Sequence, residues 1–450
     1  MRNVAATLAA CLLLLVTSGP PTIAEDRRLE AKVDAYLAPH LTNRDLSGTV
    51  LIARGDTIRL GKAYGMANYE LNVANTLDTK FRIASVTKTF TAAAIIMLRE
   101  RGALGLDDPL LRYIPDYPKG EKITVEQLLR HRAGIPVPED LEMRREHVSI
   151  EDVIGRLKRE PLDFEPGTDD RYSGSGYKLL AYIVQRASGR SYGDFLRGSV
   201  FQPLGMADSG EDRDEPILPN RASGYLPGPG RIGLKNAYWI DLSSSIGSGS
   251  LYSTAKDLHR WARAVCSERL FRWKALPYPF GWGRRSYFGH PLIEQSGVEE
   301  GFCSYLAVSP EDGLIVVCLS NVQAGAFQRF GKDLVALALG KECETAAVHR
   351  MVAPPGFSPD LYAGRYASPE ADSFLRGIRL IAEGGQLYYR WDKIPSRRWL
   401  MPISDTEFLD RTEGAKIRVE RDGDGPAKRL TMTWGAGGPG IVYRRLDSAR

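Results

Sequence analysis

Apolar side chains recur through residues 81–102 at the spacing of one helical face. Phe90, Ala93, Ala94, Met97 and Leu98 make the stripe, and Ile95 and Ile96 fill much of the opposite side. The pattern predicts a helix from Phe81 to Gly102 that is buried over most of its surface. Upstream, a short helix is expected around Leu29–Leu41, then a hairpin of Gly48–Arg54 and Thr57–Tyr64 turning at Gly55-Asp56. Helical patterns dominate the middle: Thr124 caps Val125–His131, and Tyr177, Leu180, Ala181 and Val184 form one face of a helix ended by Gly189. From Pro203 to Gly249 the chain is rich in Gly, Pro and Ser, which reads as long loops over a site. A helix follows at Ala255–Val265, and strands return at Phe302–Val308 and Leu314–Leu319. Strands at both ends of a helical middle predict an α/β (α+β) domain. Its one antiparallel sheet pairs the two ends, and a helical region is inserted between them.

After Val352-Ala353-Pro354-Pro355-Gly356 the pattern changes to short alternating segments at Ile378–Ala382, Leu387–Trp391, Ile417–Arg421 and Leu430–Trp434. Glycine-rich turns separate them, so the tail is expected to be a small all-β sandwich or barrel with a structural or binding role. At 450 residues the chain has room for two or three domains. The expected division is a leader over residues 1–24, a main domain over 25–350 and a β domain over 357–450.

The leader reading rests on Arg2, the apolar run Val4–Val16 and the small-residue site Thr22-Ile23-Ala24. The run is too short to span a bilayer and ends in Ser18-Gly19-Pro20-Pro21, so a cleaved signal peptide is expected, with no membrane anchor after processing. Leu8-Ala9-Ala10-Cys11 resembles a lipoprotein box but leaves almost no apolar segment ahead of it. The expected location is therefore secreted or periplasmic. Removing the leader takes only Arg2 among charged side chains, leaving about +4 from a formal +5. The basic residues are scattered among acids, which argues against a nucleic-acid partner. Six dispersed histidines and no Cys-x-x-Cys give no support for a metal site, and no cofactor is implied. Of the cysteines left after processing, Cys266, Cys303, Cys318 and Cys343, each sits in an apolar run, so buried thiols are expected over a Cys303–Cys318 bridge.

Ser85 and Lys88 open the buried helix three residues apart, nearly one turn, so the amine can lie beside the hydroxyl at the positive end of the helix dipole. A hydroxyl with an adjacent desolvated amine is an activated nucleophile. The spacing recurs at Ser175–Lys178 and Ser253–Lys256, the latter reading as a helix N-cap, and only Ser85 is expected to open a helix buried along its length. Gly189-Arg190-Ser191-Tyr192-Gly193 fits a Gly-x-Ser-x-Gly elbow, but a helix rather than a strand precedes it, and Ser191 reads as a cap for Asp194. Tyr172 stands where an extended loop turns into a helix; alone it would read as packing.

Taken in order, five segments closely resemble the serine β-lactamase and penicillin-binding superfamily, nearest its class C type with DD-peptidases and esterases. They are Phe81–Lys88, Leu128–Gly134, Pro166-Gly167 with Tyr172–Tyr177, Pro203–Met206 and Ser253–Leu258. The resemblance covers about residues 30–340, and Leu361–Tyr366 looks like the start of the small β-barrel, lipocalin-like, that many members append. It implies Ser85 as acylated nucleophile, Lys88 as its proton partner and Tyr172 as the base that relays protons, with the first proton acceptor left open between Lys88 and Tyr172. It also implies an oxyanion hole from the N–H groups of Ser85 and Val298.

Two departures stand out: Gly174 replaces the usual Asn, and Gln295-Ser296-Gly297 replaces a motif that normally begins with Lys or His. Gln295 keeps hydrogen bonding but carries no charge for a substrate carboxylate. His290 reads as a strand-end histidine. The expectation is an exported serine hydrolase acting on a small ester, peptide or β-lactam, of esterase or D-amino-acid peptidase type with weak β-lactamase activity allowed. The alternative is a catalytically impaired binding or regulatory module of the same fold.

Overall fold

The computed structural model describes residues 23–446 apart from 139–145, 273, 275–277, 347, 349–356, 372–374, 393, 395, 424 and 435–439. The expected leader lies almost wholly outside these residues, and so does the Pro354-Pro355 boundary. Helix α1, Ile23–Thr42, is longer than the Leu29–Leu41 stretch its apolar spacing marks. Strands β1, Gly48–Arg54, and β2, Thr57–Tyr64, form the expected hairpin. The other four strands of the sheet come from far along the chain: β3, Gly283–Tyr287; β4, His290–Glu299; β5, Phe302–Val308; and β6, Leu314–Ser320. Their order is β3-β4-β5-β6-β1-β2, every pair antiparallel, with β6 alongside β1 from Gly48↔Ser320 to Arg54↔Leu314. The two ends of the main domain thus meet in the middle of one sheet.

Alternation along the strands sorts the core into two layers. Val50, Ile52, Val316 and Cys318 face α1 and helix α5, Phe327–Ala338, through Val33, Leu37, Phe330 and Leu334. Leu51, Ala53, Val317 and Leu319 face the inserted helical region. At its centre lies α2, Thr87–Glu100, buried from Thr87 to Leu98. It packs against α3, Gly174–Ser188, and Phe90 stacks on Trp261 of α4, Ala255–Cys266, with ring centroids 4.3 Å apart.

Helix α2 begins later than its hydrophobic spacing predicts. Phe81 and Arg82 pair with Ser253 and Tyr252 as a short strand, and Ala84–Val86 form a single 3-10 turn before the α-helix starts at Thr87. The α4 cap is likewise shifted by one residue from the expected Ser253. Thr254 accepts the Asp257 N–H, while Ser253 ends the preceding strand and shares a hydroxyl contact with Ser209. Ser191 caps Asp194 as expected, with α3 before it and Tyr192–Leu196 helical after it. Cys303 stands opposite Ser320 and Cys318 opposite Tyr305, so the two thiols are not a cross-strand pair; both are buried and free.

The tail is a closed eight-stranded up-and-down barrel, β7 to β14: Gly364–Ala367, Gly377–Glu383, Gln386–Trp391, Arg398–Pro402, Glu407–Asp410, Ala415–Arg421, Ala427–Trp434 and Ile441–Arg445. Inward side chains including Tyr366, Tyr389, Phe408, Ile417 and Tyr443 fill its interior. Among the described residues no helix is long and apolar enough to cross a membrane.

Candidate active site

The turn that carries Ser85 is held from several directions. Val86 N–H returns to Ile83 C=O, Ile83 N–H donates to Leu251 C=O, and the Ser304 hydroxyl on β5 donates to Ile83 C=O at 2.7 Å. The Thr87 hydroxyl accepts the Leu251 N–H. Ala84 sits at φ +45°, a backbone region costly for a residue with a Cβ, immediately before Ser85. Strain of this kind persists only where neighbours over-determine it. Its effect is to present the Ser85 side chain, partly exposed, at the head of α2.

Lys88 Nζ donates to Ser85 Oγ at 2.9 Å and to the Ser248 carbonyl at 2.8 Å. Lys88 is only 3 % exposed, so the amine is held by these two oxygens rather than by water. Tyr172 Oη donates to the same Ser85 Oγ at 2.8 Å, and Lys88 Nζ lies 4.9 Å from the Tyr172 ring centroid. The hydroxyl, amine and phenol picked out from separate stretches of sequence meet at one oxygen. Tyr172, unlike the amine, is open to solvent at 56 %. Burial alone does not single out this Ser-x-x-Lys pair, because Ser175 and Lys178 are fully buried inside α3. What distinguishes Ser85 is a buried amine beneath a hydroxyl that solvent can reach.

Two neighbours went unassigned in the sequence. Ser248 contributes a main-chain carbonyl from the Gly-Pro-Ser-rich stretch, a role with no side-chain signature. His131 lies behind the phenol, its ring centroid 4.7 Å from that of Tyr172 and 5.1 Å from that of Tyr177, and its Nδ1 accepts the Ser173 N–H at 3.2 Å. That bond needs an unprotonated Nδ1. Burial, and secondarily the Lys88 charge, pulls the His131 pKa from its usual 6.5 to about 4. Burial likewise pushes the Tyr177 phenol well above its usual value, so it stays neutral, bonded to the Leu129 carbonyl.

On the opposite wall runs β4. Its first half pairs with β3 only as far as Gly283↔Glu294, whereas Gln295–Glu299 pair with β5 alone. The edge left open borders the Ser85 turn. A Cβ on Gly297 would lie 2.7 Å from Ser85 N, 2.6 Å from Ile83 O and 2.5 Å from Ser304 Oγ, so only glycine lets the strand approach this closely. Ser296 and Val298 are exposed, and Gln295 Nε2 donates to the Ser296 carbonyl. At Gly174, the first residue of α3, an added Cβ would meet nothing nearer than Ser248 at 3.8 Å, leaving room for a side chain. His290 begins β4 and bonds Asp312 through Nδ1 at 2.7 Å, clear of this constellation. No cluster of three or more His, Cys, Asp or Glu suited to a metal occurs among the described residues.

This architecture, a six-stranded antiparallel sheet against a buried helix headed by a Ser-x-x-Lys turn, defines a β-lactamase and transpeptidase-like serine hydrolase fold. The Beta-lactamase family profile matches residues 29–340, and the chain belongs to that family. It is similar to the solved structure of a penicillin binding protein from Bacillus halodurans, with 28 % identity, TM-score 0.59, and coverage of 67 % of this chain and 98 % of that one. Similarity to the D-amino acid amidase from Ochrobactrum anthropi SV3, solved with D-phenylalanine, is 25 % identity and TM-score 0.61 over 70 % and 98 % of the two chains. The octameric penicillin-binding protein homologue from Pyrococcus abyssi shares the fold over 93 % of this chain and 99 % of its own, at 21 % identity and TM-score 0.60.

Proposed function

We propose that this chain is an exported serine hydrolase of class C type that acts through an acyl-enzyme on Ser85, with esterase or D-amino-acid peptidase specificity. The observation that carries the reading is the double contact on one hydroxyl, amine and phenol each within 3 Å of Ser85 Oγ. In the reaction, with one proton first shed from the Lys88–Tyr172 pair, Ser85 Oγ attacks the substrate carbonyl carbon and hands its proton to the deprotonated member. The developing oxyanion is held by the N–H groups of Ser85, at the head of α2, and Val298, on the open edge of β4. Tyr172, the exposed member, then protonates the leaving group, which departs with the acyl bond's electron pair. The resulting Tyr172 phenolate takes a proton from a water, which attacks the ester carbonyl on Ser85; Ser85 Oγ leaves with the bonding electron pair and takes a proton back from the Lys88–Tyr172 pair. His131 holds the phenol in place by a tilted ring contact and by fixing Ser173.

Specificity follows from what the pocket lacks. Gln295 offers no charge to a substrate carboxylate, and Gly174 offers no amide to a substrate carbonyl, so uncharged acyl substrates are favoured over carboxylate-bearing β-lactams. The same two departures favour the second reading, a binding module of low turnover. A panel of chromogenic ester, cephalosporin and D-Ala-D-Ala peptide, run beside Ser85→Ala, separates them. Ester or D-peptide turnover lost in Ser85→Ala is expected; binding without any turnover supports the binding module. Because Gly174 has space beside it, Gly174→Asn combined with Gln295→Lys should raise rates on carboxylate-bearing substrates by about tenfold, the scale of one charge-assisted hydrogen bond. No rise would show that these positions do not face the substrate.

A further inference from the structure

The open edge of β4 raises a mechanical question that the main domain alone does not answer. From Gln295 to Glu299 the strand is paired on one side only, yet Gly297 and Val298 must hold their place against the Ser85 turn to within a fraction of an ångström. The strand ends in a tight turn: Glu300 is followed by Gly301 at φ +84°, whose N–H donates to Gln323 Oε1 at 3.1 Å. Glu300 is 6 % exposed. An unpaired carboxylate there would be costly.

Its partner comes from the other domain. Arg398, the first residue of β10 in the barrel and itself 8 % exposed, grips the Glu300 carboxylate in a fork, Nη1 to Oε1 at 3.3 Å and Nη2 to Oε2 at 3.2 Å. The Tyr238 N–H adds a third donor at 3.4 Å. Behind the guanidinium, Glu413 Oε1 lies 3.6 Å from Arg398 Nε, so the cation is held from both sides by carboxylates of different domains. Next to it, Lys235 of the main domain bonds the Arg397 carbonyl. The barrel docks elsewhere as well, through Arg411 to the Asn43 carbonyl and the Asp45 carboxylate. That second contact is at the end of α1, on no strand of the candidate site.

The geometry points to Arg398 as a positioning residue of the active site: the C-terminal barrel fixes the free end of the oxyanion strand through the Arg398–Glu300 fork. The barrel is then part of the catalytic architecture. The inference rests on the reading of Val298 as an oxyanion donor for its effect on rate, but the strand's anchoring stands apart from any activity. A planar guanidinium fork holds a carboxylate in orientation as well as position, which a flexible ammonium does only in part.

The test compares three full-length variants with the unaltered chain. Arg398→Met with Glu300→Gln and Glu413→Gln removes the cation together with both carboxylates that hold it, so neither is stranded; Arg398→Lys keeps the charge without the fork; Arg411→Met loosens the same interface away from β4. Amide hydrogen exchange is read over residues 295–301, and kcat and KM are measured on a chromogenic ester. The charge-free variant should exchange at 295–301 about tenfold faster and lose about tenfold in kcat, with KM changed less than about twofold, as for a weakened transition-state contact. Arg398→Lys should recover part of both effects, and Arg411→Met neither. Unchanged exchange at 295–301 in the charge-free variant, or an equal fall of kcat in Arg411→Met, would overturn the inference. An unaltered chain that turns over no ester would count against the proposed function instead, and exchange would still decide the anchoring.

Discussion

His131 shows how much of the site depends on a residue that makes no hydrogen bond to the Ser85 hydroxyl. Its Nδ1 takes the Ser173 N–H and its ring backs the Tyr172 phenol, so it works only as a neutral imidazole. Lys88, Tyr172 and Tyr177 are the titratable groups around it, and the cation among them opposes a second positive charge. With a folded pKa near 4 against an ordinary 6.5, the unfolded chain binds the proton more readily. The stabilisation is therefore complete above about pH 6.5 and is lost as pH falls towards 4. His131→Asn is a suitable comparison, because Asn accepts hydrogen bonds and tolerates the backbone φ of +59° found here. Melting temperatures of the two proteins should converge between pH 6.5 and 4.5, with the wild type ahead at pH 7. A gap independent of pH would show that His131 is not held neutral by its surroundings. The side chains of the reacting pair and its phenol were legible in the sequence because their types and spacing are the chemistry. Ser248 was not, since a carbonyl acceptor leaves no trace in residue identity.

At the scale of elements, the close approach of β4 to the α2 turn is the feature most sensitive to change. Gly297→Ala would place a methyl 2.5 to 2.7 Å from Ser304 Oγ, Ile83 O and Ser85 N, so strand and turn must part. A displacement near 1 Å at the reacting centre should lower kcat/KM by about a hundredfold. Ester kinetics beside a thermal melt would check this; retention of full activity would mean that β4 does not line the reacting carbonyl. The hairpin, α4 and the β5–β6 pair followed from hydrophobic period. The start of α2 did not, because the residues from Phe81 to Val86 are as apolar as those of the helix. What removes them from it is pairing with Tyr252 and Ser253, more than 160 residues away. The four barrel strands at Gly364–Ala367, Arg398–Pro402, Glu407–Asp410 and Ile441–Arg445 escaped for a related reason. All four are only four or five residues long, too short for a period-2 signal to stand out, and closure of the barrel supplies their partners.

For the whole molecule, the long inserted region is what makes a candidate cleft out of one sheet. It brings α2, the Tyr172 turn and the Ser248 loop to the edge of β4, and β1 with β6 closes the domain behind them. Sequence order alone indicated this closure, since strand patterns flank a helical middle. The contact between domains was not legible: Glu300 and Arg398 are ordinary charged residues until folding buries them against one another. The central claim is that all these parts serve one acylated oxygen. Intact-mass spectrometry after treatment with a fluorophosphonate tests it most directly. The account predicts a single adduct, mapped to Ser85 and absent in Ser85→Ala; an adduct that persists undiminished in Ser85→Ala would contradict it.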